Sequence, residues 1–556
     1  MKVFYSELNQ EKNTKDPIIA LVRNNHWFLW GLKEKSRYFG YWIKKDTQLF
    51  KLIDSIELYE EIERIEVLEP HLVKLFCRES VIELMLDGQG LILKSNRAFK
   101  VKINFDFKKI FSSQPFGNNY QVIPLNKGYG VNFTQEQEHY NLHAYLFFEG
   151  ELKFNNRWRE IENEFDRSRQ TQPGTAWALE AFEGYCSELK FFCPDKTVNS
   201  LSLAQLLRSR ETYTPFILKR TLSLFDGYFL AGLPWFSQNW FRDELICLWL
   251  LQPGGKTHRL KTVPVNGADR PRPADPLRGN KQLSLIKTEV LNRYLQHLEN
   301  FVFINRLGGE AAVDTFLWVI YLLSEQQIKD TSDKLKLVTQ EWLKRYFKNN
   351  RVIAPAQATW MDTLDRPISV ENEALFLKVI EKLKPLKIEG LAQTHESYFR
   401  KLKTYLTTEL YPKAELEKPN LFLGYLISPE LLSKRKWEKF FDQLIKNNFC
   451  AWGGFSTLPR SDQDFHWFST GQNPASYHQG DSWFWLNNLA AIAMQNLNPV
   501  KYKTYIEKIK AASLKNLLEL GALGWPSELS SSAQLRSEGS PIQLWSLVSL
   551  LKLLEN

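Results

Sequence analysis

Carboxylate, aromatic and arginine side chains gather in five short segments of the second half of this 556-residue sequence. The segments are residues 232–244, 305–318, 359–362, 476–483 and 524–529. Each of them lies between stretches that have the apolar spacing of helices. Loops at the ends of several helices can bring such residues together, so the pattern predicts one polar site lined by aromatic rings.

Hydrolysis of a glycosidic bond is a reaction that uses this set of side chains. One carboxylic acid must protonate the leaving oxygen, while a second carboxylate activates water or attacks directly. Further Asp and Arg side chains hold neighbouring hydroxyls in bidentate fashion, and Trp faces cover the apolar face of a sugar. Asp362 follows Trp360 and Met361, the type of apolar setting that keeps a carboxyl group protonated near neutral pH.

Each of these residues also has a purely structural interpretation, which the sequence leaves open. Asp362 fits a helix cap beside a hydrophobic core. Arg242 and Asp243 fit a structural ion pair, and His478 fits a hydrogen-bonded structural histidine. Glu528 fits an acid in the first turn of a helix. No single segment decides between chemistry and structure.

The elements that must position these segments fall into two regions. Residues 1–175 alternate short apolar runs with turn signals such as 87–90, which predicts a β-rich domain. The polar run 167–174 marks its end, and residues 176–200 are expected to be a linker. From about Leu201 to residue 556 the apolar spacing becomes helical. The predicted helices are 284–301, 311–328, 333–348, 372–383, 391–410, 430–447, 482–496, 501–520 and 541–555.

Nine or more helices separated by aromatic loops predict helical hairpins arranged in a ring or a solenoid. A four-helix bundle is too small for this length, and no repeat of 34 or 40 residues indicates a helical repeat array. Residues 252–282 interrupt the helical region. They are basic and rich in Pro and Gly, which predicts a long loop or insertion.

Composition excludes several other classes of protein. Hydrophobic residues make up 44% of the chain and charged residues 24%, an ordinary globular balance. The net charge of +9 is spread along the chain among 63 acidic residues, which argues against nucleic-acid binding. Five cysteines without a C-x-x-C pair, no apolar run of about 20 residues and no signal peptide predict a cytoplasmic protein without membrane association. No metal site and no cofactor are predicted.

Taken in order, the segments resemble one family, the C-terminal amylo-α-1,6-glucosidase region of glycogen-debranching enzymes, which is related in architecture to glucoamylases. The resemblance covers about residues 225–556. The matching motifs are A-G-L-P-W-F at 231–236 with W-F-R-D at 240–243, N-R at 305–306 with D-T-F-L-W at 314–318, T-W-M-D at 359–362 with V-E at 370–371, Y-H-Q-G-D-S-W at 477–483, and E-L at 528–529 with Q-L-W-S at 543–546. The sequence departs from the family pattern at Phe241, Gln479 and Glu373, and has one extra residue before Glu528.

The resemblance implies a multi-domain α+β protein, with an N-terminal β-sandwich-like domain followed by an (α/α)6 toroid as the catalytic domain over residues 201–556. It implies that Asp362 is the general acid and Glu528 the general base of an inverting hydrolase. The residues implied to hold the substrate are Trp235, Trp240, Arg242, Asp243, Asn305, Arg306, Asp314, Trp360, Glu371, His478 and Trp483.

The activity implied is removal of single glucose units from α-1,6 branch stubs of glycogen, limit dextrin or a related α-glucan. By the same resemblance, the chain is expected to lack the barrel domain that transfers oligosaccharides in bifunctional debranching enzymes and to perform only the glucosidase step. Two alternatives stay open: a glucoamylase-like exo-α-1,4-glucosidase or trehalase-like enzyme on the same fold, and a glucan-binding protein without catalysis.

Overall fold

A computed structural model of the chain contains a large antiparallel sheet followed by a helical region. The structure describes residues 3–6, 17–23, 25–45, 48–112, 117–170, 175–193, 213–252, 276–301, 303–307, 309, 311–389, 391, 394–408 and 412–555. In these ranges no helix combines the length and the apolar character that crossing a membrane requires.

The N-terminal region is a sheet of thirteen strands, which confirms the predicted β-rich domain. The strands are β1 (Val3–Ser6), β2 (Ile18–Arg23), β3 (His26–Gly31), β4 (Gly40–Lys45), β5 (Gln48–Leu58), β6 (Ile62–Glu69), β7 (Leu72–Cys77), β8 (Val81–Leu86), β9 (Gly90–Lys109), β10 (Asn118–Leu125), β11 (Gly128–Gln135), β12 (Tyr140–Glu162) and β13 (Thr175–Phe192). In β7 and β8 every second residue is buried, because alternate side chains of a strand point to opposite faces.

The sheet branches at the long strand β9. The first part of β9 pairs with β8, its second part pairs with β5, and β13 pairs along its other edge. One branch continues through β5, β4, β3 and β2, and the other continues through β8, β7, β6 and β1. Strand β2 also packs against β7 and β8, so the two branches face each other around a shared core. The predicted sandwich is thus one continuous branched sheet.

The domain boundary lies later than the sequence indicates. Most of the predicted linker 176–200 is β13, which pairs with both β9 and β12. Residues 194–200 lie outside the described ranges. The polar run before β13 misled the prediction because it connects two strands of one sheet, with the short helix α1 (Glu164–Ser168) at its start.

The helical region begins at Tyr213. Its helices are α2 (Tyr213–Ser223), α3 (Phe241–Leu250), α4 (Pro276–Gln296), α5 (Leu298–Phe301), α6 (Thr315–Leu322), α7 (Glu325–Asp330), α8 (Ser332–Tyr346), α9 (Val370–Leu383), α10 (Thr394–Thr407), α11 (Lys413–Leu416), α12 (Asn420–Ile427), α13 (Lys434–Asn448), α14 (Phe484–Leu497), α15 (Pro499–Glu519) and α16 (Leu544–Glu555). Short strands in the connections are β14 (Leu230–Leu233), β15 (Phe236–Asn239), β16 (Phe347–Lys348), β17 (Arg351–Val352), β18 (Phe449–Cys450), β19 (Gly454–Phe455), β20 (Ser482–Trp483), β21 (Leu529–Ser530) and β22 (Ile542–Gln543).

Six helices pack side by side in a closed cycle. Helix α3 contacts α6, α6 contacts α9, and the contacts continue through α12, α14 and α16 back to α3. These helices are buried on nearly every side; in α6 all residues but Tyr321 are buried. Helix α13 differs, because it buries only one stripe: Trp437, Phe441, Leu444 and Asn448. A helix buried on one stripe lies outside the cycle, with its other faces in solvent.

All nine predicted helical segments coincide with helices. The prediction lacks α3 and α12, two helices of the cycle, because helices that are buried on nearly all sides do not alternate apolar and polar residues with a helical period. The predicted insertion 252–282 is shorter than expected, since α4 begins at Pro276. Residues 253–275 lie outside the described ranges.

The sheet and the helical region share backbone hydrogen bonds. The amide of Ile18 in β2 donates to the carbonyl of Gly521 at 2.8 Å, and Leu523 donates back to Ile18 at 2.9 Å. The indole of Trp525 donates to the carbonyl of Ala20 at 3.2 Å. An edge of the N-terminal sheet therefore holds the loop that leads to Glu528.

Candidate active site

A cavity of about 480 Å³ opens where the loops between the cyclic helices meet. Nine of the thirteen predicted site residues line it, although they come from five separate parts of the sequence. These nine are Trp235, Trp240, Arg242, Asp243, Asn305, Trp360, Asp362, Trp483 and Glu528. The helix cycle thus brings together side chains that are up to 293 residues apart, from Trp235 to Glu528.

Arg242 stands in the first turn of α3 and is held by a buried ion pair. Its Nε donates to both carboxylate oxygens of Asp314, at 3.0 and 2.8 Å. Its backbone amide donates to Oδ1 of Asn305 at 3.2 Å. The structural ion pair considered from the sequence therefore exists, but the partner of Arg242 is Asp314 and not the neighbouring Asp243.

Asp243 follows Arg242 and presents a buried carboxyl group to the cavity. Burial raises the pKa of Asp243 to about 8 because a charged carboxylate loses its hydration there. The charge of Arg242 opposes this shift, while Asp362 and Glu528 add to it. Three carboxyl groups thus share one cavity, and their mutual repulsion favours a proton on at least one of them.

Glu528 lies immediately before β21 and is fixed by two hydrogen bonds. The phenolic hydroxyl of Tyr477 donates to its Oε1, and the backbone amide of Ser540 donates to its Oε2 at 2.9 Å. Burial raises the pKa of Glu528 to about 7, although both hydrogen bonds and the nearby charge of Arg169 counteract the rise. A carboxyl group in this state can exchange a proton near neutral pH.

The backbone beside Glu528 leaves no space for a larger residue. Gly539 has φ +66°, and a Cβ atom built on it would lie 2.3 Å from Oε2 of Glu528. Only glycine both adopts this backbone conformation without strain and admits the carboxylate at this distance.

Asp362 lies in the turn between β17 and α9 and is half-buried at the cavity wall. The preceding Trp360 packs edge-on against four aromatic rings, those of His478, Trp483, Trp485 and Trp545. Its ring centre is 5.4 Å from that of Trp483, 5.1 Å from Trp485 and 5.3 Å from His478. Asp362 is thus attached to a rigid aromatic wall.

His478, which was predicted to hold the substrate, is not among the residues that line the cavity. Its ring stacks on Trp483 at 5.1 Å, and its Nδ1 is 2.8 Å from the hydroxyl of Thr363. Burial lowers the pKa of His478 well below its usual value, assisted by the charges of Arg366 and Arg242. A buried, neutral histidine thus packs against Trp483, a ring of the cavity wall.

Three further predicted residues also lie outside the cavity wall. Asp314 is occupied by Arg242. Glu371 accepts hydrogen bonds from Arg366 at 3.0 and 3.3 Å, and from Asn420 at 2.8 Å. Arg306 places its guanidinium 5.3 Å from the ring centre of Trp240. These three residues were predicted to hold the substrate, and the structure places them beside the cavity lining, paired with other side chains of the protein.

Some residues of the cavity were not predicted from the sequence. Tyr477 is the first residue of the motif at 477–483, and its place in this motif is the sequence feature that could have identified it. Three others, Tyr38, Phe111 and Arg169, come from the N-terminal sheet domain. No motif marks them, because their contribution arises only when the two regions pack together.

Comparison with models of protein families matches residues 289–552 to the family described as amylo-alpha-1,6-glucosidase. The match includes the segments that carry Asp362 and Glu528, and it begins after the segment that carries Arg242. The resemblance predicted from the motifs is confirmed for this part of the chain. The family match supports a glycoside hydrolase domain over residues 289–552.

Two other comparisons add little. No curated protein matches the chain. Among solved structures, the chain is similar to the GH63 mannosylglycerate hydrolase from Thermus thermophilus in complex with Tris, at 13% sequence identity and a TM-score of 0.25. That match covers 33% of this chain and 45% of the hydrolase chain. A likeness this weak carries no information on fold or substrate.

Proposed function

We propose that this protein is an inverting amylo-α-1,6-glucosidase, which removes single glucose units from the α-1,6 branch stubs of α-glucans. The observation that carries the proposal is the shared cavity of Asp362 and Glu528, two carboxyl groups from loops 166 residues apart. Its volume of about 480 Å³ is in the range of ligand pockets, roughly 300–1,000 Å³. The family match covers both residues.

Glu528 is the general base in this proposal. Its carboxylate is held by Tyr477 and Ser540, so its orientation is set before substrate binds. A pKa of about 7 suits a base that must accept a proton from water at neutral pH. Asp362 is the general acid that protonates the leaving oxygen. Its attachment to the aromatic wall keeps it in place during the reaction.

Arg242 and Asp243 hold the hydroxyls of the glucose that is cleaved. Both line the cavity, and the bifurcated hydrogen bond from Nε to Asp314 fixes the guanidinium of Arg242 while leaving part of it facing the cavity. A preoriented donor loses little freedom when it binds a sugar hydroxyl. Trp235 and Trp240, the half-buried tryptophans of the cavity, provide apolar surface for the ring.

The (α/α)6 toroid belongs to this proposal as well. The closed cycle of α3, α6, α9, α12, α14 and α16 supports it as the inner ring. Helices such as α10, α13 and α15 pack outside their neighbours in the cycle. An active site at one end of such a ring fits the position of the cavity among the connecting loops.

The test is glucose release from branched limit dextrin by the parent protein and by two variants. Asp362→Asn removes the proton donor and preserves its shape, so glucose release should fall by about 10²–10⁴-fold. Asp365→Asn, three residues away at an exposed position, is the matched control and should keep the parent rate. Parent-like turnover by Asp362→Asn would remove this residue from the mechanism.

The same assay separates linkage and class. The proposal predicts faster glucose release from isomalto-oligosaccharides than from malto-oligosaccharides. The reverse order would indicate an exo-α-1,4-glucosidase. Glycogen binding without glucose release over a long incubation would indicate a glucan-binding protein.

A further inference from the structure

Arg169, from the N-terminal sheet domain, is built into the wall of the cavity. It follows α1 and is 5% exposed. Its Nη1 donates to the carbonyl oxygen of Gly539 at 2.6 Å. The amide of Ser540 belongs to the same peptide group, and it donates to Oε2 of Glu528 at 2.9 Å. The Gly539–Ser540 peptide group thus lies between the two side chains: its carbonyl accepts from the guanidinium of Arg169, and its N–H donates to the carboxylate of Glu528.

The helical region holds Arg169 from other sides as well. Its backbone carbonyl accepts a hydrogen bond from the amide of Gln472 at 2.9 Å. A Cβ atom on Gly471 would lie 2.6 Å from this same oxygen, so the backbones are in close contact. The guanidinium lies 4.6 Å from the ring centre of Trp235. A buried arginine fixed at both its backbone and its side chain has one defined orientation.

We infer that Arg169 is a positioning residue for Glu528, acting across the domain boundary through the Gly539–Ser540 peptide. The inference rests on the proposed function, in which Glu528 is the general base. A charged donor on the carbonyl polarises the peptide group, which strengthens the hydrogen bond that its N–H donates to the carboxylate. It also holds the Gly539 loop at the distance from Glu528 that only glycine permits.

The environment of Glu528 is rich in negative charge. The acidic groups that interact with it electrostatically are Asp362 and Asp243 in the cavity and the buried Asp481, and the hydroxyl of Tyr477 donates a hydrogen bond to it. Glu538, next to Gly539, contributes a further negative charge on the side of Arg169. Arg169 is therefore a positive group that counters several carboxylates around the general base.

The experiment compares Arg169→Gln and Arg169→Lys with the parent enzyme in glucose release from an α-1,6-linked substrate at pH 5 to 9. For Arg169→Gln we expect kcat to fall by about 10- to 100-fold, the usual effect of one hydrogen bond to a charged group, with KM within about 3-fold of the parent. The acidic limb of the kcat/KM profile should move to higher pH. Arg169→Lys keeps the positive charge and should retain more of the rate and of the parent profile. Arg167→Gln, an exposed position two residues away, is the control and should match the parent.

Each outcome decides one question. An unchanged pH profile and kcat in Arg169→Gln would overturn the inference. A raised KM at the parent kcat would do so as well, because it would show that Arg169 only contacts the sugar. If Arg169→Gln does not fold, as judged by circular dichroism, Arg169→Met takes its place: methionine keeps an unbranched stem without the charge or the donor, and a parent-like kcat and pH profile would overturn the inference. Failure of the proposed function itself is distinct: the parent would release no glucose, or Glu528→Gln would stay active.

Discussion

The hydroxyl of Tyr477 donates a hydrogen bond to Oε1 of Glu528, across 51 residues of sequence. This contact and the amide of Ser540 are the two hydrogen bonds that the structure gives this carboxylate. Both favour the ionised form and so oppose the effect of burial. The protonation state of Glu528 thus depends on burial, which raises its pKa, and on these hydrogen bonds, which lower it. A single substitution can remove one of them.

Tyr477→Phe should move the pH dependence of the enzyme. For the parent, kcat/KM should fall below about pH 7 because Glu528 becomes protonated there and cannot act as a base. Loss of the hydroxyl removes a group that lowers the pKa of Glu528, so the acidic limb should shift to higher pH. Tyr185→Phe, at an exposed position of the N-terminal sheet, is the control. A Tyr477→Phe profile that coincides with the parent would separate this hydroxyl from the ionisation of Glu528.

Gly539→Ala should lower the activity of the enzyme more than its stability. The new methyl group would lie 2.3 Å from Oε2 of Glu528 and must displace it, so kcat should fall at least about 10-fold. Gly227→Ala is a matched control: its φ is +70°, against +66° for Gly539, and nothing lies within 4 Å of its Cβ position.

Both glycine variants should lose about 1–2 kcal/mol of stability from the positive φ alone, measured by denaturant unfolding. Only Gly539→Ala should lose activity. Equal activity of the two variants would show that Glu528 does not need its present position.

Asp243→Asn should change how stability depends on pH. The pKa of Asp243 is about 8 in the folded protein and about 4 in an unfolded chain. The folded state therefore binds a proton more tightly, and the stability that this provides is present at low pH and lost as pH rises towards 8. Asparagine cannot ionise, so the variant avoids the loss. The melting temperature of the variant minus that of the parent should be higher at pH 8 than at pH 5, by at least about 3 °C.

The control for this measurement is Asp464→Asn, which changes an exposed aspartate. Its difference from the parent should be the same at both pH values. A flat difference for Asp243→Asn would mean that the buried carboxyl group is already ionised at pH 5.

The anomer released first should be β-glucose. Water activated by Glu528 attacks from the face opposite the leaving group, so an α-linked substrate gives inversion. The carboxyl groups of Asp362 and Glu528 should then be roughly 6.5–9.5 Å apart in a liganded, closed state, which leaves room for the water. Proton NMR of the fresh product reads the anomer before mutarotation mixes the two forms.

Glu528→Gln should block this step, and azide, which needs no base, should restore part of the rate. Initial release of α-glucose would instead indicate a covalent intermediate and a different role for Glu528.

The sequence alone determined which segments meet and what type of chemistry they support. Motifs such as 359–362 and 477–483 can be recognised without a structure, because they are defined by the types and the spacing of neighbouring residues in the sequence. The amphipathic helices outside the cycle were predictable for the same reason: a stripe such as that of Trp437, Phe441 and Leu444 has a period that the sequence displays. The alternation in β7 and β8 is equally local.

The tertiary structure decided which side chains contact each other. Asp314, and not the adjacent Asp243, pairs with Arg242 because the packing of α3 against α6 brings distant helix ends together. The sequences of helices α3 and α12 do not alternate apolar and polar residues with a helical period, since both helices are buried on nearly all sides. Arg169 reaches the cavity only because the N-terminal sheet packs on the loops of the helix cycle. Such contacts depend on the packing free energy of the whole chain, which no local pattern of residues encodes.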